Sequence, residues 1–128
     1  MKRILDYAGN NPEKHILCFV DEVLRGTNTV ERIAASTEIL KYLSSINCTC
    51  YAATHDGELT YLLENIYENF HFSEDIIDND VLFNYKLNSG RATSRNAIKL
   101  LSVMGFNESI VENASKRASK FLEGGAWV

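Results

Sequence analysis

Residues 16–20, Ile-Leu-Cys-Phe-Val, form an apolar run without alternation, and two carboxylates, Asp21 and Glu22, follow at once. A short run of this kind suits a strand buried on both faces of a parallel sheet, which commits the chain to an α/β arrangement. In such sheets ligands bind at the carboxyl ends of the strands, which is where the acids stand. This is the Walker B arrangement: one acid can hold a magnesium ion while its neighbour orients or deprotonates a water. A solvated Asp-Glu pair in a strand-to-loop turn has the same sequence, so the motif counts only with its structural context.

That context is a second short apolar segment, residues 48–54, with His55 directly behind it and Asp56, Gly57, Glu58 and Leu59 next. It reads as a second parallel strand ending beside the first. Asp21-Glu22, Arg25-Gly26-Thr27 and Thr29, with Ala53-Thr54-His55 and Glu58-Leu59 further on, together resemble the MutS family of DNA mismatch-repair ATPases, a branch of the ABC-type ATPases. The resemblance extends over residues 5–122, because Gly90-Arg91-Ala92 and the segment from Gly105-Phe106 to Ile110-Val111 and Ala114 also fall where the family places such residues. Two departures mark a divergent MutS-like relative: Arg95-Asn96-Ala97 where the family usually has Ser-Tyr-Gly, and Glu31-Arg32 near its usual Asp-Gly.

Composition bounds the rest. With 128 residues, 45% of them hydrophobic and 23% charged, the chain is large enough to bury a core as one unit, residues 1–128. No apolar run approaches the roughly 18 to 20 residues that span a bilayer, and Met1-Lys2-Arg3 leads into a polar segment, so a cytoplasmic location and no membrane partner are expected. A net charge of −4 argues against a broad basic surface for duplex phosphates, and DNA contact is expected in regions upstream. Cys18, Cys48 and Cys50 lie in the apolar strands, and Cys-x-Cys with no second Cys or His pair nearby is a poor zinc pattern, so they read as reduced, buried thiols.

Along the chain, residues 3–9 suggest a short helix before the Asn10-Asn11-Pro12 turn. Asn28 is a good N-cap, with Glu31 as its capping partner and Val30, Ile33, Ala34, Thr37, Leu40 and Leu43 at helical spacing up to about Ser45. Leu59, Leu62, Leu63 and Ile66 predict a second helix over residues 58–67, and residues 70–77 and 81–87 a strand pair added to the sheet around an Asp78-Asn79-Asp80 turn. The last two helices carry apolar stripes, Ala97, Leu100, Leu101 and Met104, then Ile110, Val111, Ala114, Ala118, Phe121 and Leu122 after an Asn107 cap. Such stripes serve equally as core or as dimer surface.

The resemblance implies a partial P-loop (ABC-type) ATPase fold, parallel strands with an added antiparallel pair and two C-terminal helices, with ATP and Mg²⁺ as cofactors. It implies that Asp21 binds magnesium, that Glu22 acts as general base or positions the water, and that His55 senses the γ-phosphate. Arg25, Thr27, Asn28 and Thr29 would face a partner subunit, since ABC-type sites close between two subunits, and Tyr85 would neighbour the nucleotide, with core packing as its alternative. His15 and His71 read as surface or packing residues. No Gly-x-x-x-x-Gly-Lys-Ser/Thr occurs in the 128 residues, so the expectation is the C-terminal half of an ATPase domain, inactive alone and exposing an unpaired apolar edge. An SMC-class ATPase fragment and a non-catalytic dimerisation module are the alternatives.

Overall fold

The computed structural model describes residues 1–77, 80–93 and 96–127. It divides into two compact units, Met1–Asn69 and Phe70–Val128, a division that length and composition do not announce.

The first unit is built on two parallel strands and the helix that joins them. Helix α1 is Lys2–Asn10, strand β1 Ile16–Asp21, helix α2 Thr29–Ser45, strand β2 Cys48–Ala53 and helix α3 Gly57–Leu62. Strands β1 and β2 pair in parallel with Ile16 opposite Cys48 and Asp21 opposite Ala53. Parallel neighbours need a crossover, and α2 supplies it. Its start is fixed by Asn28, whose side-chain oxygen accepts hydrogen bonds from the amides of Val30 (3.0 Å) and Glu31 (3.3 Å). Replacing Asn28 by Ala is expected to lower the stability of this unit by about 1 kcal/mol, read as a denaturation midpoint shift at constant slope.

The core of this unit lies on one side of the β1–β2 pair. Cys18 and Val20 of β1 meet Leu40 and Leu43 of α2 and Leu59 and Leu63, all buried, with Ile33, Ile39, Cys50 and Tyr67 packed against them. The tyrosine is fixed from the side as well, its hydroxyl donating to the Leu40 carbonyl at 2.9 Å. Helix α3 is shorter than its apolar spacing predicts: it ends at Leu62, and the chain continues in turns in which the amides of Ile66 and Tyr67 both donate to the Leu63 carbonyl.

The other side of β1 is open, which corrects the expectation of a strand buried on both faces. Leu17 and Phe19 are 58% and 71% exposed, and Phe19 stacks on Tyr51 of β2 with ring centroids 5.4 Å apart. The reason is one of supply: α2 and α3 cover the Cys18 and Val20 side, and strand alternation turns Leu17 and Phe19 away from them. His15, read as a surface or packing residue, has a definite structural role. Its two ring nitrogens lie 2.8 Å from Asn47 Oδ1 and 2.9 Å from Thr49 Oγ1, pinning the approach to β1 against the start of β2.

The second unit holds an antiparallel hairpin and two helices. Strands β3, Phe70–Ile77, and β4, Asp80–Ser89, pair with each other as their own two-stranded sheet, not as strands added to the parallel pair. The turn expected at Asp78-Asn79-Asp80 falls partly on residues 78 and 79, outside the described residues, as does Arg95 among the family departures. Phe72 lies opposite Leu87 and Glu74 opposite Phe83, so β4 bulges at Asn84, Tyr85 and Lys86, with Tyr85 at φ 54°. His71 sits at the hairpin base, Nδ1 3.0 Å from the Gly90 carbonyl.

Helices α4, Ala97–Val103, and α5, Glu108–Gly124, are joined through a Schellman turn. The Gly105 amide donates to Ser102 and the Phe106 amide to Leu101, a geometry that needs the left-handed φ of 77° at Gly105. Asn107 then caps α5 by accepting from the Ser109 amide at 2.9 Å. The stripe on α5 is only half covered: Val111, Ala114, Ala118 and Phe121 are partly buried, whereas Ile110 and Leu122 are 50% and 58% exposed.

Candidate functional site

The acids stand where the strand pattern places them. Asp21 closes β1, and the amide of Glu22 donates to the Ala53 carbonyl at 2.9 Å, continuing the ladder for one more residue. There the backbone turns sharply, with Glu22 at φ 53°, a left-handed conformation uncommon for a residue with a side chain. That turn separates the two carboxylates: Asp21 is mostly exposed and Glu22 is only 26% exposed.

Arg25 bridges the pair. Its Nη2 donates to Asp21 Oδ2 at 2.7 Å and its Nε lies 3.0 Å from Glu22 Oε2, so one guanidinium satisfies an oxygen of each acid. On the neighbouring strand, His55 follows β2 and brings Nε2 to 3.7 Å from Glu22 Oε1. The parallel register explains this meeting, because Asp21 opposite Ala53 leaves Glu22 and the residues after Ala53 leaving the sheet side by side.

The loop after the acids is less uniform than its sequence suggests. Gly26, at φ 71°, makes the turn, and Thr27 and Thr29 are exposed. Asn28 is committed to capping α2, so its amide oxygen already holds two backbone donors. Tyr85 belongs to the second unit, where the β4 bulge leaves it 82% exposed with its ring 6.2 Å from that of Phe83. Core packing, the alternative reading for Tyr85, is therefore not what it does within this chain.

An ion pair beside the site escaped the sequence reading. Arg32, in the first turn of α2, donates through Nε to Asp56 Oδ2 at 2.9 Å and through Nη2 to Oδ1 at 2.5 Å. The hydrogen-bonded guanidinium holds the Asp56 carboxyl below the usual carboxylate range, and Asp56 in turn raises the Arg32 pKa. The residues are 24 positions apart, and no local spacing signals their contact.

Of the three cysteines expected to be buried, only Cys18 is buried in the core, with Cys48 and Cys50 partly buried against it. All three are free thiols; Cys18 is opposite Cys50 in the strand register, and burial pushes the Cys50 thiol up to about 11 and also raises Cys48. Among the described residues, no group of three or more His, Cys, Asp or Glu side chains is placed to hold a metal ion. No helix among them is long and apolar enough to cross a membrane.

Known sequences match most of the chain. The family model for MutS domain V matches residues 1–122. The chain belongs to the MutS family. It is 37% identical to the DNA mismatch repair protein MutS of Aquifex pyrophilus over 97% of this chain and 15% of that protein. It is also 29% identical to the MutS of Rickettsia canadensis over 84% of the chain, and 28% identical to that of Rickettsia bellii over 88%. This MutS-family chain thus spans only 12 to 15% of the length of these curated relatives.

Proposed function

We propose that the chain supplies the Walker B acids and the sensing histidine of an ATP-hydrolysing site in a MutS-like DNA mismatch repair ATPase, as part of a P-loop, ABC-type fold. The observation that supports this reading best is the meeting of Glu22 and His55 at 3.7 Å beyond the ends of two parallel strands. A solvated turn would have no need of a histidine from the neighbouring strand at that point.

The acids suit magnesium in chemistry and in number. Asp21 is an exposed carboxylate at a strand end, and Mg²⁺ is commonly held by one or two carboxylates with waters and substrate phosphates completing the shell, so a dense protein cage is not required. When bound, the ion supplies neutralisation of the phosphate charge. Asp21 would hold it through water. Glu22, oriented by Arg25 through Oε2, would accept the proton of the attacking water or fix its position at Oε1. His55 would donate from Nε2 to that water or to the γ-phosphate. Arg25, Thr27 and Thr29 would face a partner subunit across a homodimer, and Tyr85 would approach the nucleotide once the protein is assembled.

The reading requires a phosphate-binding loop, which these 128 residues do not contain, and it assigns DNA contact to other parts of the protein. Magnesium-dependent ATP binding and hydrolysis should therefore be measured for this chain beside a form extended upstream far enough to include such a loop. Activity in the longer form alone is the expected result. Binding by neither form would leave the acids without this chemistry and favour the dimerisation module.

A further inference from the structure

The Arg32 to Asp56 pair stands apart from the acids and the histidine, yet each of its ends is anchored next to them. Asp56 follows His55 directly, and Arg32 lies in the first turn of the helix that begins at the end of the acid loop. The contact is a two-pronged fork between side chains only 24% and 17% exposed, the geometry in which Arg fixes orientation as well as charge.

The most telling feature is what Asp56 does not do. It occupies the N-cap position of α3, where an aspartate ordinarily accepts from the helix's first free amides, but its side chain makes no cap bond. Both carboxylate oxygens are turned to Arg32 instead. Meanwhile the Asp56 amide donates to Thr54 Oγ1 at 3.0 Å, so the residues on both sides of His55 are tied down. The His55 ring itself is 95% exposed, and its packing cannot hold it in place. The constraint on where that ring points comes from the backbone turn, and the turn is fastened to α2 through Arg32.

We propose that Arg32 and Asp56 are positioning residues that hold His55 against Glu22 by fastening the turn after β2 to the first turn of α2. The catalytic consequence rests on the ATPase reading; the positioning does not.

The test uses the full 128-residue chain and the nitrogen and carbon-bound proton resonances of the His55 ring, with the Leu43 methyl signals as a control for folding. Arg32→Met and Asp56→Asn are each expected to move the His55 ring signals and leave the Leu43 methyls in place. The exchanged pair Arg32→Asp with Asp56→Arg is expected to bring the ring signals back toward those of the unaltered chain, and Arg32→Lys, a point charge without the fork, to fall between. Ring signals that superimpose on the unaltered chain in both single variants would overturn the proposal. In a form extended to include a phosphate-binding loop, both single variants are expected to lower kcat by roughly tenfold to a hundredfold with KM for ATP within about twofold, the signature of a misplaced group and not of lost binding. If that extended form neither binds nor hydrolyses ATP, the ATPase reading falls, and the ring signals still decide the clamp.

Discussion

Replacing Glu22 by Gln, in a protein that carries this chain together with a phosphate-binding loop, is expected to leave magnesium-dependent ATP binding intact and to lower turnover by about 10²- to 10⁴-fold. Glutamine keeps the shape of the side chain and an oxygen that can accept from Arg25 Nε, which lies 3.0 Å from Glu22 Oε2, so the local structure has no reason to change. What is lost is the capacity to take a proton from water. The φ of 53° at Glu22 is shared by any side chain placed there, so Gln adds no backbone strain beyond what the native residue bears. Equilibrium ATP binding and single-turnover hydrolysis, measured on the same preparation, separate the two effects. Hydrolysis at the native rate would remove Glu22 from the base role and leave it as Arg25's anchor.

The second large effect is on stability. Leu43 is fully buried at 0% exposure in the contact between α2 and the β1–β2 sheet, and Leu43→Ala is expected to cost about 3 to 5 kcal/mol in the unfolding of residues 1–69. A domain's whole stability is commonly about 5 to 15 kcal/mol, so the variant should show a markedly lower denaturation midpoint. Phe19→Ala is the control. Phe19 is the larger side chain and belongs to the apolar run that defines β1, but it is 71% exposed and loses mainly its stacking on Tyr51, worth roughly 0.5 to 1.5 kcal/mol. A cost for Phe19→Ala as large as that for Leu43→Ala would mean that the open face of the sheet is covered in solution.

Local rules made much of this chain readable. Helices α1, α2, α4 and α5 and both strand pairs occur close to where periodicity and punctuation predict them, because Asn28, Gly105 and Asn107 act through bonds to residues only a few positions away. Apolar spacing alone overextends α3, since Leu63 and Ile66 continue the pattern but the chain there packs as turns. Burial was harder to read. The run Ile16 to Val20 gives no sign of which residues will be covered, and that depends on how many helices reach each face of the sheet.

What the sequence determined by itself is the chemistry at the strand ends: two acids after one apolar segment, a histidine after the next, and a crossover helix between them whose cap is set by Asn28. These are consequences of side-chain alternation and short-range hydrogen bonding, which are written into neighbouring positions. Only the tertiary structure decided that Glu22 and His55 meet, that Arg25 joins both acids, that Arg32 takes Asp56 away from its own helix, and that Phe19 faces outward. The meetings of Glu22 with His55 and of Arg32 with Asp56 depend on how two strands separated by a 17-residue helix pair and pack. The Arg25 bridge depends on the backbone turn at Glu22, and the outward Phe19 on which face of the sheet α2 and α3 cover.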